Sequence, residues 1–322
     1  MNNPLAIYYS DEYLNWKLGA GDGTHATNPM RAKLATEMLR ERLGSNAVVE
    51  PPMTEGSRDS VLAELKKVHD HSYVDSVMAG HSTEWFGVKP EVAEAGLAMF
   101  SGTVRAVQAI LDGSVRVAFN PQGAKHHAQF DLGDGFCVFN DMAYAAMEFK
   151  KAGLRPLYLD WDIHAGNGVY RMLKGSDIPC ISIHIGDIYP GDREMQPLDS
   201  SRRDMIDEVA GGYNYNVNRG DGDEYFLAAI EKAKQVIEAY QPDVILLAAG
   251  ADGNEGIGNL GTLANYTKAG FRSAAKTVAE LAAKHAAGRV LIGGAGGYQP
   301  LKETPEIWAD VVGTIYNELE GK

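Results

Sequence analysis

The side chains most suited to chemistry form two short motifs. The first contains adjacent imidazoles, His126 and His127, and the second reads Asp160-Trp-Asp162-Ile-His164. On an extended segment, an Asp-x-His triplet directs its carboxylate and its imidazole to the same side, where both can bind one cation. Imidazoles also titrate near neutral pH and can carry protons. The motifs therefore predict a metal site with proton carriers beside it, although tandem histidines also occur as buried or exposed structural pairs.

Two further residues fit such a site. Asp252 follows Gly250-Ala and is the best candidate for a third metal ligand. Three protein ligands leave one position open on Zn²⁺, where water can be activated or a carbonyl oxygen polarised. Tyr298 follows the run 294–297, which is so poor in side chains that its backbone can approach a ligand and present the phenol to an oxyanion. The alternatives are a turn residue at 252 and a core tyrosine at 298.

Apolar runs that are typical of buried strands precede these candidates. They occupy 115–119, 154–159, 178–183, 243–249 and 289–292. Other segments carry apolar residues three and four positions apart, which predicts helices packed on a sheet. These helices are expected at 31–43, 91–111, 223–240, 266–287 and 304–319. The alternation predicts an α/β fold with three α/β/α layers around a single parallel sheet, and a site at the C-terminal ends of the strands.

Composition restricts the class of protein further. The chain has 322 residues, 45% hydrophobic and 23% charged, and no repeat or linker divides it, so we expect one catalytic domain over 1–322. A formal net charge of −13 disfavours nucleic acid as a partner. No apolar run reaches the roughly 20 residues that cross a bilayer, and the first residues do not resemble a secretion signal. Only two cysteines, Cys137 and Cys180, occur, so we expect a cytoplasmic protein without membrane partners.

Several spaced motifs resemble one known family. They are the segment 24–31, His126-His127-Ala-Gln-Phe-Asp131, the segment 135–141 and the segment 304–308. In this order they resemble the histone deacetylase and acetylpolyamine amidohydrolase family of the arginase/deacetylase superfamily, particularly its bacterial acetoin-utilisation-like and deacetylase-like members. The resemblance covers nearly the whole chain. It implies an arginase/deacetylase fold and the zinc-dependent hydrolysis of an acylated amine.

The same resemblance implies catalytic roles. His127 resembles the general base that activates water and later protonates the amine, and His126 resembles its electrostatic companion. Tyr298 resembles the donor to the tetrahedral oxyanion. Asp160 is similar to the carboxylate behind His126, and Asn167 is similar to the group behind His127. Such partners set the tautomer and the orientation of an imidazole.

The resemblance also implies cofactors and a substrate channel. One Zn²⁺ per chain is expected, and a structural monovalent cation, usually K⁺, is expected close to it. The implied zinc ligands are Asp162, His164 and Asp252. The implied surroundings of K⁺ are Asp160, Asp162, His164, Ser182 and Ile183. The implied walls of the acyl channel are Phe136, Tyr189 and Leu260.

Departures from the family pattern limit what can be said of the substrate. Gly166 and Asn254 stand where the two-manganese arginase branch would need further aspartates, so we expect one metal and amide hydrolysis. Ala165 replaces a second histidine, and Ala295 interrupts the usual glycines before Tyr298. The expected substrate is acyl-lysine or a small acylated amine with an acetyl or other short acyl group. An acetylpolyamine or specialised-metabolite deacylase, and a metal-dependent acyl-lysine binder without turnover, stay open, as does an oligomeric state.

Overall fold

Parallel strands form the centre of the molecule. The computed structural model describes residues 3–19, 27–197, 201–254 and 263–321. Within these ranges the strands are β1 (Leu5–Tyr8), β2 (Ala47–Glu50), β3 (Val117–Asn120), β4 (Pro156–Asp160), β5 (Cys180–Ile185), β6 (Met205–Asp207), β7 (Gly212–Val217), β8 (Val244–Ala248) and β9 (Val290–Gly293). They make one sheet in the order β2-β1-β3-β9-β8-β4-β5-β7-β6.

Helices connect most of the strands. In the described part of the chain they are α1 (Met30–Leu43), α2 (Arg58–Leu65), α3 (His71–Met78), α4 (Pro90–Leu111), α5 (Asp141–Lys151), α6 (Asn167–Leu173), α7 (Asp223–Tyr240), α8 (Lys268–His285) and α9 (Glu303–Glu320). Short 3₁₀ turns lie at Asp11–Asn15 and Gly44–Asn46. Buried side chains of α2 to α6 pack on one face of the sheet, whereas those of α7, α8, α9 and most of α1 pack on the other. The predicted three-layer α/β/α architecture is therefore confirmed.

The five predicted strands are neighbours in the sheet, in the order β3-β9-β8-β4-β5. The last residues of β4 and β8 lie in register, since Asp160 pairs with Ala248, and Asp160 also pairs with Ser182 of β5, which continues to Ile185. Gly293 likewise pairs with Ala248 and with Asn120. The parallel strands therefore end in one row, and the loops that follow them all begin at the same edge of the sheet.

One edge of the sheet departs from the prediction of an all-parallel sheet. β6 pairs with β7 in the antiparallel sense, and Ile206 lies opposite Tyr213. Only residues 208–211 join these strands, which is too short for the crossover that a parallel pair needs. β6 is short and largely exposed, so the sequence shows no apolar periodicity there.

The strands carry apolar residues on both faces, as expected for a sheet covered by helices. In β4, Leu157 and Leu159 face the layer of α7 and α8, and Tyr158 between them faces the layer of α4 and α5. None of the described helices is long and apolar enough to cross a membrane.

Candidate active site

The three predicted zinc ligands meet at the row of strand ends. Asp162 and His164 follow β4 directly, and Asp252 follows β8, the neighbouring strand. One ligand atom from each lies within 4.8 Å of the other two, and all three residues are buried. Nδ1 of His164 lies 3.1 Å from Oδ1 of Asp162 and 2.9 Å from Oδ2 of Asp252. Within the described ranges, this is the only group of three or more His, Cys, Asp or Glu side chains that could hold a metal ion.

The electrostatics of this group fit a cation. Burial and the charge of Asp162 raise the pKa of Asp252 to about 7. Burial opposes protonation of His164, but hydrogen bonds to Asp162 and Asp252 outweigh it and raise the pKa of His164 to about 10. Two buried carboxylates with one imidazole between them need a positive charge to offset their desolvation. One nitrogen and two carboxylate oxygens are also a donor set that zinc accepts, so the residues present fit Zn²⁺.

Backbone amides hold the ligand carboxylates in place. The amide of Gly296 donates to Oδ2 of Asp162 over 2.6 Å, and the amide of Ile163 donates to Oδ1 of Asp252 over 3.2 Å. A side chain at residue 296 would collide with both carboxylates, so only glycine allows this loop to approach so closely. The loop after β9 thereby fixes Asp162, a candidate ligand that follows β4, and approaches Asp252, which follows β8.

The two adjacent histidines lie beside the ligands and are oriented by different partners. Nδ1 of His126 donates to Oδ2 of Asp160, and Nδ1 of His127 donates to Oδ1 of Asn167, each over 2.8 Å. The two imidazole centroids are 4.0 Å apart. Because a proton is held at Nδ1 of His127, its Nε2 is left with a free lone pair.

The pKa values of the two histidines are shifted in opposite directions. Burial lowers the pKa of His126, but the charges of Asp160 and Asp162 outweigh it, so the pKa is raised. Burial and the neighbouring His126 hold the pKa of His127 well below its ordinary value. A charged imidazole beside a neutral one is the arrangement that separates an electrostatic role from a basic one.

Asp160 accepts three hydrogen bonds, and only the one from His126 was expected from the sequence. Besides His126, its donors are the hydroxyl of Tyr158 at 2.6 Å and the amide of Asp162 at 2.9 Å. Tyr158 was missed because an aromatic residue in an apolar run indicates core. The available signal was its spacing: residues two apart on a strand face the same side.

Tyr298 lies close to His164. Its ring centroid is 6.2 Å from that of His164. Burial raises the pKa of Tyr298 well above its usual value, so the phenol keeps its proton. In the preceding loop Ala295 has a φ of 58°, a left-handed conformation that usually falls to glycine. Alanine therefore occupies a backbone conformation that favours glycine in this loop.

The predicted channel residues lie on the outer side of the site. Tyr189 is 44% exposed, and its ring centroid is 5.0 Å from that of His127 and 6.2 Å from that of His164. Phe136 is half-buried and follows Gly135, where a side chain would collide with the ring of His127 and the hydroxyl of Tyr189. The third predicted wall, Leu260, lies outside the described residues.

The residues predicted to surround K⁺ lie together at the ends of β4 and β5. Asp160 and Ser182 are partners in the register of these strands, and Ile183 follows on β5. Asp162 and His164 continue from β4 into the metal-binding group.

The residues at positions 166 and 254, where the two-manganese branch would need aspartates, are also explained by their surroundings. A side chain at Gly166 would collide with the carboxylate of Asp160. Asn254 is buried, and its Nδ2 donates to the carbonyl of Tyr266 over 3.1 Å. Neither position offers a carboxylate to a second metal ion.

A fold of this kind, with an Asp/His/Asp group and paired histidines at the ends of parallel strands, defines a hydrolase site. Residues 25–315 match the Histone deacetylase domain. The chain therefore belongs to the histone deacetylase family and is a deacetylase, a hydrolase that acts on amide bonds.

Curated relatives agree with this assignment. The chain is 27% identical to "Acetoin utilization protein AcuC" of Bacillus subtilis, over 92% of this chain and 78% of that protein. It is 28% identical to a "Probable deacetylase" of Archaeoglobus fulgidus, over 91% and 80% of the two chains. A shorter match, at 29% identity over 61% of this chain and 50% of the relative, is to "Histone deacetylase B" of Dictyostelium discoideum.

Proposed function

We propose that the chain is a zinc-dependent amidohydrolase that removes an acetyl or other short acyl group from an amine, either acyl-lysine or a small acylated amine. The observation that carries this proposal is the pair of adjacent histidines beside the three residues that could hold a metal ion. One histidine is hydrogen-bonded to a carboxylate and the other to a neutral amide. Residues 1–322 act as one catalytic unit in this proposal. K⁺ bound near Asp160 and Ser182 has a structural role.

Asp162, His164 and Asp252 would hold the zinc ion. When bound, zinc supplies Lewis acidity, which polarises the acyl carbonyl and favours a nucleophilic water near neutral pH. The hydrogen bonds from Gly296 and Ile163 to the carboxylates keep their remaining oxygens turned towards this point. Such outer partners determine how well a ligand set holds its metal.

His127 is the general base. Its Nδ1 proton is held by Asn167, so Nε2 can accept a proton from the attacking water. The lowered pKa of His127 keeps it neutral before the reaction and makes its conjugate acid ready to protonate the leaving amine. His126, paired with Asp160, stays protonated and stabilises negative charge that develops beside it.

Tyr298 stabilises the tetrahedral oxyanion by donating its phenolic proton into a hydrogen bond. Its raised pKa ensures that the donor is present throughout the range in which His127 is neutral. A donor in a buried site is worth more than one in water because no solvent competes for the oxyanion. Tyr189 and Phe136 shield the acyl group on the solvent side.

The proposal is tested by acyl release from a panel of acetyl-lysine peptides, acetylpolyamines and small N-acetyl amines. We expect turnover on at least one class and its loss in His127→Gln. His71→Gln, a change of the same type at an exposed position on α3, is the matched control and should leave turnover unchanged. If the chain binds zinc but hydrolyses no substrate of the panel, the proposed enzyme is wrong and a metal-dependent acyl-lysine binder is favoured. Turnover confined to acetylpolyamines would identify the alternative substrate class.

A further inference from the structure

A buried histidine that the mechanism does not use lies close to the segment of the histidine pair. His69 stands between α2 and α3 and is 1% exposed. Its Nε2 accepts from the amide of Asn140 over 2.8 Å, and its Nδ1 lies 3.1 Å from the carbonyl oxygen of Phe130. A backbone amide can only donate, so Nε2 is the acceptor and Nδ1 carries the proton. The two contacts therefore select one neutral tautomer of His69.

Packing holds the His69 ring in this place. Its centroid lies 5.7 Å from that of Tyr73 and 5.8 Å from that of Phe139. The hydroxyl of Tyr73 donates to the carbonyl of Val138 over 2.8 Å, which anchors that neighbour in turn. Burial lowers the pKa of His69 to about 4, so the ring is neutral near neutral pH and keeps both hydrogen bonds.

Hydrogen bonds of His69 and Asn140 close a ring on the chain that follows the catalytic pair. Nδ2 of Asn140 donates to the carbonyl of Ala128 over 2.9 Å, and Ala128 directly follows His127. The ring passes from Ala128 through Asn140 and His69 to Phe130 and returns along the backbone. We call these four residues the hydrogen-bonded ring. Because Ala128, Asn140 and His69 are buried, water does not compete for its bonds.

The same end of α5 also holds the chain before the histidine pair. Asn140 directly precedes α5, and Asp141 is the first residue of this helix. Oδ2 of Asp141 accepts from the amide of Ala124 over 3.0 Å, and its Oδ1 accepts from the amide of Lys125 over 2.8 Å. The start of α5 therefore anchors the histidine pair on both sides.

Helix α6 packs on the backbone of the pair itself. The amide of Val169 donates to the carbonyl of His126 over 3.1 Å, and a side chain at Gly168 would collide with that carbonyl. α6 begins with Asn167, whose Oδ1 accepts the Nδ1 proton of His127. The distance between His127 and Asn167 therefore depends on where α5 and its partners hold the segment against α6.

We propose that His69 is a positioning residue for His127, on which it acts through Asn140 and Phe130. The inference rests on the proposed function, in which His127 is the general base. The hydrogen-bonded ring fixes the chain next to His127 and thereby the distance from its imidazole to Asn167. A general base must lie within hydrogen-bond reach of the proton that it takes. A misplacement of about 1 Å can cost about 100-fold in rate, so the ring contributes directly to turnover.

The test compares the kinetics of the zinc-loaded wild type and His69→Phe on the panel substrate that the wild type hydrolyses fastest. The variant keeps an aromatic ring against Tyr73 and Phe139 but removes both hydrogen bonds of His69. We expect kcat to fall by about 10-fold or more, which is the effect of a displacement smaller than 1 Å. KM and zinc content should stay close to the wild-type values, because the change moves the base and neither the substrate contacts nor the metal ligands.

Two conservative variants separate the two hydrogen bonds. His69→Gln can place an amide oxygen near the position of Nε2 and accept from Asn140. His69→Asn can place an NH₂ group near the position of Nδ1 and donate to Phe130. The carbonyl of Phe130 also accepts from the amide of Asp70 over 3.0 Å, so the bond to Asn140 should matter more. We therefore expect His69→Gln to recover more of the lost kcat than His69→Asn.

His285→Phe is the matched control, since it makes the same change at the end of α8 and should leave kcat unchanged. Tyr144→Phe controls for stability. The hydroxyl of Tyr144, on α5, donates to Oε2 of Glu64 over 2.9 Å, so this variant loses a hydrogen bond in the same layer of helices but outside the hydrogen-bonded ring. A thermal melt measures the stability of every variant. A lower melting temperature with full kcat is expected for Tyr144→Phe.

The outcomes separate this inference from the proposed function. A folded, zinc-loaded His69→Phe with the kcat of the wild type would overturn the inference and leave the amidohydrolase intact. A raised KM at constant kcat, or a loss of zinc, would overturn it as well. If His69→Phe does not fold, the other two variants decide, and equal kcat values in His69→Gln and His69→Asn would contradict the inference. No turnover of any N-acyl amine by the zinc-loaded wild type would instead remove the proposed function.

Discussion

Replacing Asn167 with aspartate tests how the general base is tuned. Oδ1 of Asn167 accepts the Nδ1 proton of His127 over 2.8 Å, and both residues are buried. Asn167→Asp keeps size and hydrogen bonding but places a negative charge behind the imidazole. The charged form of His127 is then favoured, so its pKa rises from the lowered position that burial and His126 impose.

The expected magnitude follows from the geometry. Two unit charges about 4 Å apart attract by about 4 kcal/mol at an effective dielectric constant of about 20. Desolvation of the new carboxylate reduces this gain, and an opposite charge at such a distance raises a pKa by about 1 to 3 units. His127 acts as a base only when neutral. The acidic limb of the profile of kcat/KM against pH should therefore move up by about 1 to 3 pH units.

The assay is the pH dependence of acyl release for wild type and Asn167→Asp, with zinc content measured in each. Asn317→Asp, which adds the same charge on α9, is the matched control and should leave the profile in place. If Asn167→Asp is folded, binds zinc and keeps an unshifted acidic limb, His127 is not the general base. A downward shift would contradict the electrostatic reasoning itself.

Three further changes have definite expected results. Tyr298→Phe should lower kcat by about 100-fold or more while zinc content stays constant, and an unchanged kcat would remove the tyrosine from the mechanism. Asp252→Ala should abolish stoichiometric zinc in elemental analysis, and retained zinc would show that another residue is the third ligand. Tyr158→Phe should lower the free energy of unfolding by about 1.5 to 3 kcal/mol in a urea titration, because the buried Asp160 carboxylate loses its 2.6 Å donor. Full stability in that variant would mean that the two other donors satisfy Asp160 alone.

The central part of the fold could be predicted from the sequence because its signals are local. Strands β3, β4, β5, β8 and β9 are apolar runs, and each leads directly into a polar or glycine-rich loop. β1, β2, β6 and β7 were not predicted. β1, β2 and β6 contain three or four residues, and β2 and β6 are partly exposed, so neither length nor periodicity distinguishes them from loops. β7 carries asparagines among its tyrosines and is not an apolar run.

The candidate site was likewise predicted only in part. The residues of the two motifs were predicted because their spacing is local. Neighbours in the loop after β3, and neighbours at the end of β4, already lie close together in the sequence. The contacts of Arg31 could not be predicted, because they join distant segments. Arg31 donates to the carbonyl of Gly297, 266 positions away, and to the side chain of Gln122, 91 positions away. Residues that act through such contacts leave no local pattern.

The most direct test of the account is the zinc content of the purified chain, measured together with its acyl release. We predict one zinc ion per chain, turnover that a chelator abolishes and zinc restores, and loss of both in Asp252→Ala. Turnover that persists without bound metal, or that requires two metal ions per chain, would contradict the site built from Asp162, His164 and Asp252.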